Sequence, residues 1–173
     1  SSYSTVPVTL SSGTWDGTDI IKTTNPSDAH SGNTAVQLKS ATGSNIITPQ
    51  LSNVGTINFW SKSTGATGTL AVNISINGAA FTAVTGSPFS LTSIYQSFSF
   101  TVNSTSNNIV IQFYRTAGTV HIDDVEVNCL PPVCLTTSIS SFTPNNGPIG
   151  TLVTITGTGF TGVSDVKFGN KSA

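Results

Sequence analysis

The chain has 173 residues, enough for one or two domains of about 100–200 residues each, and only 8% of them are charged, against about 25% in an ordinary soluble domain. Net charge is −1, and the six basic residues (Lys22, Lys39, Lys62, Arg115, Lys167, Lys171) are scattered, which excludes the basic stripe that nucleic-acid binding requires. The 36% hydrophobic content falls in strand-like alternation, which excludes disorder, and no apolar run approaches the ~18–20 residues of a membrane span.

The chain opens without Met, and no basic residue precedes an apolar core there. It therefore reads as a mature protein or an excised fragment, not as a precursor with a signal peptide. From there on the signal is period two. Leu70, Val72, Ile74 and Ile76 alternate with Ala71, Asn73 and Ser75; Phe98, Phe100 and Val102 alternate with Ser99 and Thr101; Ile109, Ile111 and Phe113 alternate with Val110 and Gln112. Such alternation puts one face of a strand on a core and the other toward water. Strands are predicted near 4–10, 18–23, 34–40, 45–48, 55–62, 69–76, 80–84, 94–103, 108–115 and 119–127. Turn residues break them at Thr64-Gly65, Asn77-Gly78, Gly86-Ser87-Pro88 and Ala117-Gly118, of which Asn77-Gly78 is the clearest hairpin. The fold class is all-β, and so many short strands imply a sandwich or jelly roll.

A boundary is expected at 129–137, where Pro131-Pro132 interrupts pairing between Cys129 and Cys134. Two thiols do not complete a structural zinc site, and the spacing is not that of a Cys-x-x-Cys redox pair. A small disulfide loop in an oxidising, extracellular compartment is the expectation.

Beyond that boundary the residues Ile139-x-x-Phe142-x-Pro144, Gly147-Pro148-x-Gly150, Val153-x-Ile155-x-Gly157-x-Gly159-Phe160 and Val166-x-Phe168-Gly169 resemble the start of an IPT/TIG domain, an immunoglobulin-like module. The resemblance covers 138–173 and implies a partial β-sandwich, under half a module, so that either the chain was cut there or another segment supplies the partner strands. Residues 1–128 resemble the jelly-roll carbohydrate-binding modules appended to secreted bacterial enzymes. The residues that carry this are His30-Ser-Gly-Asn-Thr-Ala-Val-Gln-Leu38, Gly55-Thr-Ile-Asn-Phe-Trp60-Ser-Lys62 and Val120-His-Ile-Asp-Asp-Val-Glu-Val127. In such modules the first and last of these segments lie side by side around a structural calcium ion.

That resemblance gives Asp123-Asp124 a candidate role. Strand geometry sends their side chains to opposite faces, and a bare buried carboxylate costs on the order of several kcal/mol. It is answered either by Lys39 or Arg115, or by Ca2+ held by Asp123 or Asp124 together with carbonyls of the Ser31–Asn33 loop, with Asp28 adding a second charge. The related modules commonly place an acidic residue on the first strand; Ser4–Leu10 has none, and Asp16 and Asp19 come later.

Sugar recognition needs an open aromatic ring flanked by a few planar hydrogen-bonding groups. Asn58, Trp60 and Lys62 share one strand face, and Gln112 and Tyr114 share another. If those strands are neighbours, the five line one surface, with Arg115 at its rim. The competing reading packs Trp60 into the core, and Trp15 and Tyr95 are the alternative rings.

Catalysis finds no support in the sequence. His30 and His121 lie in no nucleophile or metal motif, Glu126 is the sole glutamate, and a His121–Asp123 dyad is outweighed by an ordinary structural histidine. The expectation is a non-catalytic, calcium-stabilised, secreted or cell-surface module that binds a polysaccharide or cell-surface glycan. The alternative is an adhesin stalk or filament subunit whose partial Ig-like segment is completed by a neighbouring chain or segment.

Overall fold

The structure, a computed structural model, describes residues 8–10, 13–39, 43–130, 138–148, 150–158, 160, 167–168 and 171–172. The chain divides into two compact units, Ser1–Leu130 and Pro131–Ala173.

The first unit is a sandwich of two antiparallel sheets. Its strands are β1 (Val8–Leu10), β2 (Gly13–Thr18), β3 (Ile20–Thr23), β4 (Ala35–Leu38), β5 (Asn45–Ile47), β6 (Val54–Ser63), β7 (Gly68–Ile76), β8 (Thr82–Ala83), β9 (Phe89–Leu91), β10 (Gln96–Ser104), β11 (Ile109–Ala117) and β12 (Val120–Cys129). One sheet runs β1-β2-β5-β11-β7-β8 with β9 also on β7; the other runs β10-β6-β12-β4-β3. Alternation does what the sequence demands of it: Ile57 and Phe59 of β6 face Ile109, Ile111 and Phe113 of β11 across the core, all fully buried. Phe59 is the hub, with ring centroids 5.2 Å from Phe113, 5.4 Å from Phe98, 5.5 Å from Phe89 and 6.4 Å from Phe100. Offset and edge-on pairs of this kind add to the area term of burial.

Two strands are absent from the sequence reading, β2 and β9. In β2 the inward positions are Trp15 and Gly17, so half of its alternation is invisible to a hydrophobicity pattern. A Cβ at Gly17 would collide with the Ile20 side chain, which is why the position is glycine. Trp15, an alternative ligand ring from sequence, is instead core at 6% exposure. The single strand expected at 18–23 is broken at Asp19, whose φ of 51° turns the chain a corner; β2 enters one sheet and β3 the other. Aspartate is one of the few residues besides glycine that visit this left-handed backbone, and here the Asp19 carbonyl accepts from Lys39 N and Ser44 Oγ (both 3.1 Å). Asn77 and Gly78 both have positive φ, the requirement of a tight hairpin between paired strands. Of the strand expected at 4–10, residues 4–7 lie outside the described residues, as does Cys134.

The second unit contributes an antiparallel pair, β13 (Ser138–Thr143) with β14 (Thr154–Thr158), and a short pair, β15 (Lys167–Phe168) with β16 (Lys171–Ser172). Every residue of β13 is exposed.

Candidate functional site

The sandwich presents two outer faces, and they divide the predicted ligand residues between them. Trp60, Asn58 and Lys62 project from β6 in the five-stranded sheet, whereas Gln112 and Tyr114 project from β11 in the seven-stranded sheet. The two strands oppose each other through their buried residues instead of pairing side by side. The single surface expected from sequence therefore does not form: alternation identifies the outward residues but not which strand lies next to which.

On the seven-stranded face, register aligns two rows. Asp16, Ile47, Gln112, Asn73 and Ala83 are successive partners across β2, β5, β11, β7 and β8; Thr18, Asn45, Tyr114 and Ala71 form the next row. Asn73 Nδ2 donates to Gln112 Oε1 (3.0 Å), fixing the two amides against each other, and Asn45 Nδ2 donates to the Gly43 carbonyl (2.7 Å). Beside Tyr114 stands only the methyl group of Ala71, which leaves that flank of the phenol ring low. Arg115, the expected rim residue, donates from Nε to the Gly118 carbonyl (2.6 Å) in the β11–β12 turn. Asp16, Asn45 and Asn73 were missed from sequence, although Asn73 between Val72 and Ile74 carries the outward signal once β7 is known to pair with β11.

The five-stranded face is covered around Trp60. The segment 24–34, with a 3-10 turn at Pro26–Asp28, lies over it. His30 stacks on Trp60 with ring centroids 3.8 Å apart and 12° between planes, and meets Tyr95 edge-on at 5.4 Å. Tyr95 donates its hydroxyl to the Asp28 carbonyl (2.5 Å). Burial, with the nearby charges of Asp123, Asp28 and Asp124, pushes that hydroxyl's pKa well up. Lys62 Nζ donates to the Ser27 carbonyl (2.9 Å) and lies 4.8 Å from the Tyr95 ring centroid. Asn58 is engaged too, donating to Glu126 Oε2 (3.0 Å).

What holds the segment down is the aspartate pair. Asp124 has φ 46° and sits where the β12–β6 register shifts, between Asp123 and Glu126. This bulge overrides the alternation expected of a strand, so both carboxylates reach the same loop. Asp123 Oδ2 accepts from His30 N (2.8 Å) and Ser31 N (3.2 Å), and Asp123 Oδ1 accepts from Asp124 N (2.9 Å). Asp124 Oδ1 accepts from Ser31 Oγ (2.6 Å), and Asp124 Oδ2 lies 2.7 Å from His30 Nδ1. A carboxylate only accepts, so Nδ1 carries the hydrogen. Partial burial opposes charge on Asp124, but the hydrogen bonds from His30 and Ser31, together with the imidazole's charge, outweigh it and hold the carboxyl below the usual range.

This donor set does not fit calcium. The loop offers Asp123 and Asp124 two N–H groups, a hydroxyl and an imidazole, where calcium needs six to eight oxygens; all four carboxylate oxygens already accept hydrogen bonds. Asn33 lies exposed in the following turn, and Asp28 meets the cluster through its backbone carbonyl. Among the described residues no group of three or more His, Cys, Asp or Glu side chains is placed to hold a metal ion.

His121, beside Lys62 in register, is 2% exposed, and neither ring nitrogen has a partner among the described residues. The His121–Asp123 dyad is therefore not formed. Burial, with Lys62 adding to it and Asp28 opposing it, lowers the His121 pKa. Cys129 is exposed at the end of β12.

With the geometry in hand, comparisons place both units. Residues 137–173 match the IPT/TIG domain model. No curated protein matches the chain. The CBM22-1 xylan-binding domain of Paenibacillus barcinonensis Xyn10C is similar in structure, with a TM-score of 0.54, 12% identity, and coverage of 75% of this chain and 92% of that one. The Clostridium thermocellum Xyn10B CBM22-1–GH10 structure, complexed with xylohexaose, gives a TM-score of 0.55 at 11% identity, over 75% of this chain and 28% of that one. The K2 cleaved adhesin domain of Lys-gingipain gives 0.53 at 15% identity, over 75% and 94%. These likenesses define the class of the first unit: a jelly-roll β-sandwich of the architecture used by carbohydrate-binding modules and by an adhesin domain. The particular arrangement is that sandwich followed by an IPT/TIG segment.

Proposed function

We propose that the sandwich is a non-catalytic, extracellular carbohydrate-binding module of a larger secreted protein, and that its binding face is the outer surface of the seven-stranded sheet. The observation that carries this reading is the pair of rows in which Tyr114 stands among Gln112, Asn73, Asn45 and Asp16 on four adjacent strands. A pyranose ring offers an apolar face for Tyr114 and hydroxyls for the amides and the carboxylate. Flat, rigid strands hold these groups with little entropy left to lose on binding. Xylan is the first polysaccharide to try, because a xylan-binding domain shares the fold. Affinity electrophoresis against xylan, β-glucans and galactans tests the reading, with Tyr114→Ala as its control; retention by none of them, or retention indifferent to Tyr114→Ala, rejects it.

The second reading, a structural adhesin or filament subunit, is favoured by the exposed apolar side chains Ile139, Phe142, Leu152 and Phe160 of the second unit. It predicts self-association of the intact protein, which size-exclusion chromatography with light scattering detects. The Cys129–Cys134 disulfide belongs to either reading and is tested by thiol titration with and without reductant.

A further inference from the structure

The last strand of a sheet carries a row of N–H and C=O groups with no strand beside them, and folded proteins ordinarily blunt it with short length, charge, proline or a bulge. The five-stranded sheet ends on β3 and β10, and the seven-stranded sheet on β1, β8 and β9. β3 has four residues and carries Lys22; β1 and β9 have three residues and β8 has two. β10 is different: nine residues, Gln96-Ser-Phe-Ser-Phe-Thr-Val-Asn-Ser104, without a charge or a proline. Its bulge comes late, since the register with β6 runs unbroken over Gln96–Thr101 and shifts only before Ser104, where Asn103 has φ 47°. Among the described residues β6 is its only paired strand. Phe98 packs on Phe59 and Phe89, with ring centroids 5.4 and 5.1 Å away, yet stays partly exposed on this edge strand. Ile94, at 74% the most exposed large apolar side chain of the described sandwich, stands two residues before the strand.

We propose that the β10 edge pairs antiparallel with the β10 edge of a second copy of this chain, about a two-fold axis through Ser99. The symmetry of the strand itself selects this occupant. Ser97-Phe98-Ser99-Phe100-Thr101 has the same pattern read in either direction, and residues opposite each other in an antiparallel pair share a face. Centred on Ser99, the pairing sets Phe98 against Phe100 of the second copy and Ser97 against its Thr101. Apolar side chains then meet on the core side and hydroxyls on the outer side, where Ser97, Ser99 and Thr101 are exposed. A two-fold interface demands such self-complementarity. With no charged side chain on the strand, two copies bring no like charges together. Main-chain hydrogen bonds along the unbroken stretch supply the affinity. The Asn103 bulge bends the strand beyond it and confines the pairing, and a two-fold pair occupies both β10 edges, so assembly closes at a dimer.

The two-fold axis stands perpendicular to the joined sheets, so the five-stranded sheets continue edge to edge and both seven-stranded sheets lie on the same side. If Tyr114 marks the carbohydrate face, the dimer turns two such faces toward one polymer and gains avidity. The pairing of β10 does not itself rest on that function.

Sedimentation velocity of the full chain over a concentration series tests the pairing, with a reversible monomer–dimer equilibrium as the expected result. Ser99→Lys sets two ammonium groups opposite each other and should raise the dimer Kd at least about tenfold, as should Ser99→Glu with two carboxylates. An equimolar mixture of the two variants should dimerise again, because opposite charges then meet at the axis. Hydrogen exchange of the native chain reads the same contact without substitution, should either variant not fold. Amides of β10 that point away from β6 should gain protection as concentration rises, while those on the outer edge of β3 should not. A chain that stays monomeric, or a mixture of folded variants that does, overturns the proposal, as does β10 exchange indifferent to concentration. So does a dimer unchanged in Ser99→Lys, the result expected if association runs through the exposed apolar side chains of the second unit.

Discussion

Trp60 and Tyr114 hold equivalent places in the sandwich: each is a half-buried aromatic on an outward position of a central strand, one per sheet. Their surroundings differ completely. Trp60 is stacked under His30, and its neighbours Lys62 and Asn58 are committed to Ser27 and Glu126. Tyr114 has a low neighbour in Ala71 and lies in a row next to a fixed pair of amides. The difference lies outside both strands, in a bulge on β12 that aims two aspartates at one loop. An outward aromatic is thus a ligand platform only when no other segment of the chain has claimed its free face.

The most severe way to break the comparison removes what both faces share. Phe59→Ala takes a fully buried ring from the centre of four others, and should cost about 3–5 kcal/mol, read as a lower denaturant midpoint with the slope unchanged. Next comes the contrast itself. Tyr114→Ala should weaken polysaccharide binding about 10- to 100-fold, while Trp60→Ala at neutral pH leaves it within about twofold; isothermal titration of both variants checks this, and a reversed ranking moves the site to the other sheet.

Asp123→Ala should cost about 1–3 kcal/mol, because three N–H groups lose their acceptor, and hydrogen exchange at His30 and Ser31 should speed up selectively. A smaller effect follows from titration. His121 has a lowered pKa, so the unfolded chain binds its proton more readily than the folded one does. Stability is fully present above the ordinary imidazole value of about 6.5 and declines as pH falls through the lower folded value. Asp124, also depressed, continues the decline in the carboxylate range. Thermal midpoints should therefore fall on acidification, and the first part of the fall should be missing in His121→Gln. The smallest expected effect is none: EDTA should leave the melting temperature unchanged, since hydrogen-bond donors already fill the acidic cluster.

Much of this was legible beforehand. Period-two runs identified ten of the twelve described sandwich strands to within a few residues, because each buries one face of large apolar side chains that no other structure satisfies. The exceptions share a cause. β2 hides behind Gly17, which is small because Ile20 fills its space, and β9 has only Phe89-Ser90-Leu91 to show. Asp19 reads as an ordinary polar residue within a run, yet its positive φ sends the chain from one sheet to the other.

The candidate sites divide along the same line. Local sequence by itself determined that the chain is all-β, which residues point outward, where Asn77-Gly78 turns, and that residues 138–173 carry the IPT/TIG pattern, since each of these rests on neighbours a few positions apart. Only the tertiary structure decided that Trp60 and Tyr114 lie on different sheets, that Asp123 and Asp124 share one loop, and that His30 covers Trp60. These depend on strand order and on a single bulge, and the contacts that set them join residues as many as 94 positions apart.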